Sequence, residues 1–182
     1  MPTVDFTSHL TGYYKVISVY DGDTITIETP IGTAPSLRLV GVDTPEIKGG
    51  TRAERNRAIA ARDYLRDLIL KKSVFIVFEE SQTTLDGIRR GPYCRPLSYI
   101  FFRDTDNDKN IFVNLEIVWQ GHGERYFQYD FDYEDFFRLD QATAQSRIDD
   151  LTLIAPVQQS PHTQRKKKLP MVWGQLKSER HN

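Results

Sequence analysis

Tyr13-Tyr14-Lys15-Val16-Ile17-Ser18-Val19-Tyr20, then Asp21-Gly22-Asp23, then Thr24-Ile25-Thr26-Ile27-Glu28 is two β-prone runs on either side of a turn. Both runs are rich in β-branched and aromatic side chains, and Asp-Gly-Asp supplies the small residues that a tight reversal needs. A β-hairpin is therefore expected over residues 13–28. The residues from Pro30 to Pro35 give further turn signals, and Leu37-Arg38-Leu39-Val40-Gly41-Val42 reads as a third strand ending at Asp43-Thr44-Pro45-Glu46. In that strand Arg38 and Val40 face one side and Leu39 and Gly41 the other, so Arg38 can reach from the barrel surface towards the loop that carries Asp43 and Glu46.

Outward from this meander the pattern changes period. Ala58, Ala61, Leu65, Leu68 and Ile69 recur at helical spacing, which predicts an amphipathic helix over 52–70 covering one mouth of a barrel. Residues 74–78 and 97–102 read as two more strands, separated by a polar stretch from Glu79 to Pro96 with neither period. A short strand is expected at 111–113. A helix over 114–120 then has Asn114 as N-cap and Gly121 as stop, and another runs over 133–148 on Phe136, Phe137, Leu139 and Ala144. Five strands with a helix after the third and helices at the end predict an α+β fold, a five-stranded OB-fold barrel. The expected organisation is an N-terminal extension (1–12), one domain (13–150) and a polar, basic tail (151–182) carrying Arg165-Lys166-Lys167-Lys168.

The whole chain narrows the function classes. With 24 basic and 25 acidic residues the net charge is −1, so attraction to nucleic acid must come from local patches. Cys94 has no second cysteine to pair with, and His9, His122, His162 and His181 are scattered, which argues against zinc. The N-terminus lacks a signal-peptide pattern and no apolar run spans a bilayer, so the expectation is a soluble, cytoplasmic monomer, with export by an unseen route left open. Asp104-Thr105-Asp106-Asn107-Asp108 begins like a calcium-binding EF-hand loop, but Lys109 and Leu115 stand where that loop needs glycine and glutamate, and a hairpin turn is the better reading.

Three stretches belong together: Asp21-Gly22-Asp23-Thr24, Arg38 through Glu46, and Tyr93-Cys94-Arg95-Pro96-Leu97-Ser98-Tyr99. In this order they resemble the staphylococcal nuclease (thermonuclease) family, and Val113-Asn114-Leu115-Glu116-Ile117-Val118-Trp119-Gln120-Gly121 continues the likeness. The resemblance implies a calcium-dependent endonuclease that cuts DNA and RNA, single-stranded or unpaired, with little sequence choice and leaves 3′-phosphate ends. It implies that Asp23 and Asp43 are calcium carboxylates, that the Thr44 carbonyl is a further ligand, and that Asp21 is a supporting acid. It further implies that Glu46 positions or deprotonates the attacking water, that Arg38 and Arg95 grip the scissile phosphate, and that Tyr93, Phe127 and Tyr129 line the nucleotide site.

Phosphodiester chemistry asks for the same residue types. As water attacks, negative charge grows on the phosphoryl oxygens, and a planar guanidinium fork offers paired hydrogen bonds with a charge it does not lose. Hard carboxylate oxygens suit calcium. The alternative reading is an OB-fold nucleic-acid-binding module without catalysis. Two departures from the family pattern stand out. Cys94 replaces a glycine, which would strain the loop if that position needs positive φ, and Gly91 replaces an acid; Arg89 and Arg90 lie near enough to stand in for Arg95. The acids Asp130, Asp132, Glu134 and Asp135 are expected to face away from phosphate, at a helix start.

Overall fold

The computed structural model describes residues 11–29, 35–81, 83–84 and 87–151. The proposed extension and basic tail lie largely outside this range, as do Arg165–Lys168.

Strand β1 (Gly12–Asp21) is long enough to serve two partners. Its first half pairs antiparallel with β5 (Ser73–Phe78), and its second half with β2 (Thr24–Glu28), the register shifting at Val16/Ser18 and again at Val19/Asp21. Such bulges bend and twist a strand, which is what closing a small barrel requires. β2 pairs with β3 (Ser36–Leu39), β5 with β6 (Leu97–Asp104), and β3 closes onto β6 in parallel through Arg38↔Leu97 and Leu39↔Ser98. The result is a closed five-stranded barrel of order β3-β2-β1-β5-β6, an OB-type α+β fold as expected. β7 (Lys109–Phe112) extends β6 as an outer hairpin. Its turn uses the Asp104 carboxylate as acceptor for the Asp106 and Asn107 amides, so the acidic stretch here is a turn.

Alternation places Val16, Ile25, Ile27, Leu37, Leu39, Val74, Ile76 and Ile100 inside the barrel. Helix α1 (Arg52–Ile69) closes one mouth with Ala58, Ala61, Leu65 and Ile69 buried, while Leu68 packs at the edge. Burying Leu65 and Ile69 contributes about 1.5–3 kcal/mol each. Thr51 and Glu54 cap the helix reciprocally: the Thr51 hydroxyl accepts from the Glu54 amide and the Thr51 amide donates to the Glu54 carboxylate.

A second core lies outside the barrel. Phe101 and Phe112 stack at 4.6 Å, and Phe131, Phe136, Phe137, Ala144 and Ile148 pack over them from the C-terminal segment. This segment is two helices, α3 (Glu134–Arg138) and α4 (Gln141–Asp149), where one was expected. Leu139 is extended and Asp140 caps the second helix through the Thr143 amide at 3.0 Å, so the chain turns between them. Glu134 and Asp135 occupy the first turn of α3, in keeping with their expected place at a helix start.

Two further expectations are corrected. The third strand stops at Leu39 instead of Val42, because Gly41 adopts φ +75° under Phe131 and Phe137, where a Cβ would come within 2.6 Å of the Phe137 ring. The chain then leaves the barrel as β4 (Val42–Asp43), paired with β8 (Glu124–Arg125). Helix α2 (Val113–Trp119) has Asn114 inside its first turn rather than at its cap. The fully buried Asn114 amide accepts from the Ile100 N–H at 3.0 Å and donates to the carbonyls of Val40 at 2.9 Å and Ser98 at 3.0 Å, tying β6 to the end of β3. Gly121, at φ +73°, does end this helix. Between Glu79 and Pro96 the described residues form no helix or strand, as expected, and two isolated bridges, Glu80↔Ile88 and Arg90↔Pro96, cross the stretch.

Candidate active site

The turn between β1 and β2 carries Asp21, Asp23 and Thr24, all buried. Gly22 is required there by close approach: a Cβ would lie 2.7 Å from the Ala61 Cβ and 2.8 Å from the Thr44 Cγ2, so the turn is pressed between α1 and the chain leaving β4. The Asp21 carboxylate accepts from the Asp23 amide at 3.2 Å and sets the turn. Asp23 then binds in two directions. Its Oδ2 accepts from the Thr44 amide at 3.1 Å and hydroxyl at 2.9 Å, and its Oδ1 accepts from the Thr24 hydroxyl at 3.1 Å.

Arg38 stands opposite Thr24 in the β2–β3 register, on the outward face between Leu37 and Leu39. One arm of its guanidinium forms an ion pair with Asp23. The other donates to Asp43 Oδ1 at 3.1 Å and to the Val42 carbonyl at 3.2 Å. Arg95 arrives from the start of β6 and donates to the Thr24 hydroxyl at 2.7 Å. Because β3 and β6 run parallel and Arg38 pairs with Leu97, both guanidinium groups emerge on the same side of one seam. Cys94 has φ +57° in the turn before Arg95, so the feared backbone cost is present, yet Arg95 reaches the site and stacks against the exposed Tyr93 ring at 5.4 Å.

Three acids, Asp21, Asp23 and Asp43, face two arginines. Burial pushes the Asp21 carboxyl above the ordinary carboxylate range, with Thr24, Arg38 and Arg95 pulling against it. Burial likewise lowers the Arg38 guanidinium, and the charges of Asp43 and Asp21 act to raise it. A cleft of about 600 Å³ opens beside Asp43, lined also by Thr44, Glu46, Arg57, His122 and Glu124.

The family model described as staphylococcal nuclease homologue matches residues 36–151, well over half the chain. The chain belongs to this family. Among similar proteins, the uncharacterized protein MJ1439 of Methanocaldococcus jannaschii is 28% identical over 75% of this chain and 70% of its own. A thermonuclease of Staphylococcus hyicus is 26% identical over 74% of this chain and 70% of its own. No helix among the described residues is long and apolar enough to cross a membrane.

Set against the family's motifs, the structure brings Asp21, Asp23, Arg38, Asp43, Thr44 and Arg95 into one bonded group. Glu46 is exposed on the wall of the adjoining cleft, and no hydrogen bond or ion pair among the described residues joins it to either arginine. Arg89 does not stand in for Arg95: it donates to the Asp130 carbonyl at 2.9 Å and faces Glu79 at 3.6 Å. Among the described residues no group of three or more His, Cys, Asp or Glu side chains is arranged to enclose a metal. The donor chemistry nevertheless fits a hard cation, since Asp23 and Asp43 offer anionic oxygens around the single Arg38 guanidinium. Phe127 stacks on Phe131 at 6.2 Å under Arg138, and Tyr129 lies under Arg89 at 5.2 Å. Thr24 was missed from sequence because a threonine beginning a strand carries no functional signal; its role comes from bridging Arg95 and Asp23.

Proposed function

We propose that this protein is a calcium-dependent endonuclease hydrolysing phosphodiester bonds of DNA and RNA with little sequence choice. The observation that supports it is the convergence of Arg38 and Arg95 on adjacent residues, Asp23 and Thr24, across the β3–β6 seam. Two forks mounted this way can take the oxygens of one phosphate by exchanging their present partners for it. Calcium held by Asp23, Asp43 and the Thr44 carbonyl would supply positive charge beside that phosphate. Asp21, accepting from the Asp23 amide, fixes the turn that carries Asp23.

In the proposed reaction water attacks phosphorus while the bond from phosphorus to the 5′-oxygen breaks. The water's proton passes to Glu46 or is held by it, the 5′-oxygen takes up a proton, and phosphate stays on the 3′ side. Charge accumulates on the equatorial oxygens, where Arg38 and Arg95 lower the barrier most. Reading backbone rather than base edges gives the broad substrate range.

A second reading, a binding module without catalysis, draws on Arg38 being engaged by both carboxylates and on the exposed, unjoined position of Glu46. Incubating the protein with single-stranded DNA in calcium and in chelator separates the two: calcium-dependent cleavage supports the nuclease, and binding without cleavage supports the module. Arg38→Lys should cut the rate about a hundredfold or more while the fold persists, since a point charge cannot replace the fork. Near-normal turnover would remove Arg38 from its role.

A further inference from the structure

Helix α1 carries five arginines and three acids, so it is basic within a chain whose net charge is −1. With 3.6 residues per turn, Arg52, Arg55, Ile59, Arg62 and Arg66 fall within about 80° of arc and form one stripe along the helix. Arg52, Arg55, Ile59 and Arg66 are exposed, and Arg62 is half-buried. The residues that α1 gives to the cleft, Glu54, Arg57 and Ala60, centre about half a turn away, so the stripe lies on the flank of the helix that faces away from the cleft.

This stripe works against the helix that bears it. Arg52 and Arg55 stand in the N-terminal turn, where the unbonded N–H groups already present positive charge and a cation is disfavoured. Arg52 with Arg55, and Arg62 with Arg66, are like-charged neighbours three and four residues apart, which repel. The acids of the helix offset little of this. Glu54 is engaged by the Thr51 amide, Asp63 accepts from Arg62 at 2.8 Å, and Asp67 lies about a quarter turn round the helix from Arg66. Among the described residues no ion pair joins Arg52, Arg55 or Arg66 to an acid. Repulsion of this kind is relieved when a polyanion lies along the row.

We propose that the arginine stripe of α1 holds the phosphate backbone of a nucleic-acid duplex. From Arg52 to Arg66 the helix rises about 21 Å, and each strand of a duplex presents a phosphate about every 3.4 Å of its axis, so one stiff row of guanidinium groups meets several phosphates. No aromatic side chain stands on the stripe, so unpaired bases find nothing to stack on, which favours a duplex over a flexible strand. A single exposed isoleucine, Ile59, is too little apolar surface for a helix lying in a membrane interface. The inference goes beyond the nuclease reading and stands without it. Where both hold, a paired region is tethered on one flank of α1 while an unpaired segment enters the site on the other.

The test is anisotropy of a fluorescein-labelled DNA duplex of about 16 base pairs with the full chain, in chelator, between about 50 and 200 mM salt. Each arginine that neutralises a phosphate contributes about 0.9 to the slope of log affinity against log salt. The triple variant Arg52→Gln, Arg55→Gln, Arg66→Gln should therefore lower the slope by about 2–3 and bind at least about tenfold more weakly. Arg66→Gln alone should take about a third of that change in slope, and lysine at all three positions should keep most of it, because counterion release follows charge. The glutamine variant should melt no lower than wild type, since the charges it loses disfavour the helix. A wild type that does not bind the duplex, or a slope that the glutamine variant leaves unchanged, overturns the proposal. So does an equal or larger loss of affinity for a single strand of the same length, or a loss of binding to phosphatidylserine vesicles with duplex binding kept. Cleavage of single-stranded DNA by wild type in calcium is scored separately, so duplex binding through the stripe without cleavage refutes the nuclease reading alone.

Discussion

Replacing Asn114 with alanine tests the join at the end of β3. The amide of this side chain serves three backbone groups: the Ile100 N–H and the carbonyls of Val40 and Ser98. The Ser98 carbonyl keeps a partner, since the Val40 amide donates to it at 3.1 Å, which leaves the other two groups to lose their bonds inside the protein. Each orphaned buried group costs about 1–3 kcal/mol, so the variant should lose about 2–6 kcal/mol, a large share of a typical stability of about 5–15 kcal/mol. In urea, with a slope of about 2 kcal/mol per molar, a loss of 4 kcal/mol moves the midpoint down by about 2 M. Circular dichroism follows the transition. Asn114→Asp keeps an acceptor for Ile100 but not the two donated bonds, and it should remain well below wild type. A loss under about 1 kcal/mol for Asn114→Ala would refute the bracket, leaving Asn114 a helix residue of no special consequence.

Gly22→Ala should cost about 1–3 kcal/mol by overpacking against Ala61 and Thr44, with a fall in DNA cleavage as Asp23 is displaced; wild-type melting and activity would show that the turn is not wedged there. Cys94→Gly should relieve a left-handed strain of about 1–2 kcal/mol, offset by about 0.5–1 kcal/mol of added chain entropy. The thermal midpoint should therefore rise slightly, and a clear fall would mean that the exposed thiol side chain contributes to the fold. Glu79 is buried, accepts from the Tyr99 hydroxyl, and has its carboxyl pushed above the ordinary range, first by desolvation. A raised folded value favours the protonated form, so this group's stabilisation is complete below its unfolded value near 4.3 and fades as pH rises through the folded one. Glu79→Gln should accordingly gain on wild type between pH 4 and pH 7 in urea midpoints, and a gap constant across that window would contradict the assignment.

Much of the barrel was legible because alternation and helical spacing are local: residues 13–28 announced their hairpin, and Ala58, Ala61 and Leu65 the face of α1. Asn114 was misread because its partners lie 14, 16 and 74 residues away along the chain, whereas its preference for a helix start is visible nearby. The end of β3 escaped for the same reason, since what forbids a side chain at Gly41 is Phe137, far along the sequence. The break between α3 and α4 did carry a signal, Asp140 three residues before Thr143, that an unbroken apolar stripe concealed. At the site, motif order foretold the grouping of Asp23, Arg38, Asp43 and Arg95.

Among the joints that close the barrel, the parallel one is the shortest, two residue pairs long against three to five elsewhere. It is also the joint that spaces the guanidinium forks. On the proposed nuclease reading, a slight parting of β3 from β6 would shift Arg38 relative to Arg95, because the two arginines stand on the two sides of this joint. On that reading, cleavage would fail on warming before the body of the molecule unfolds.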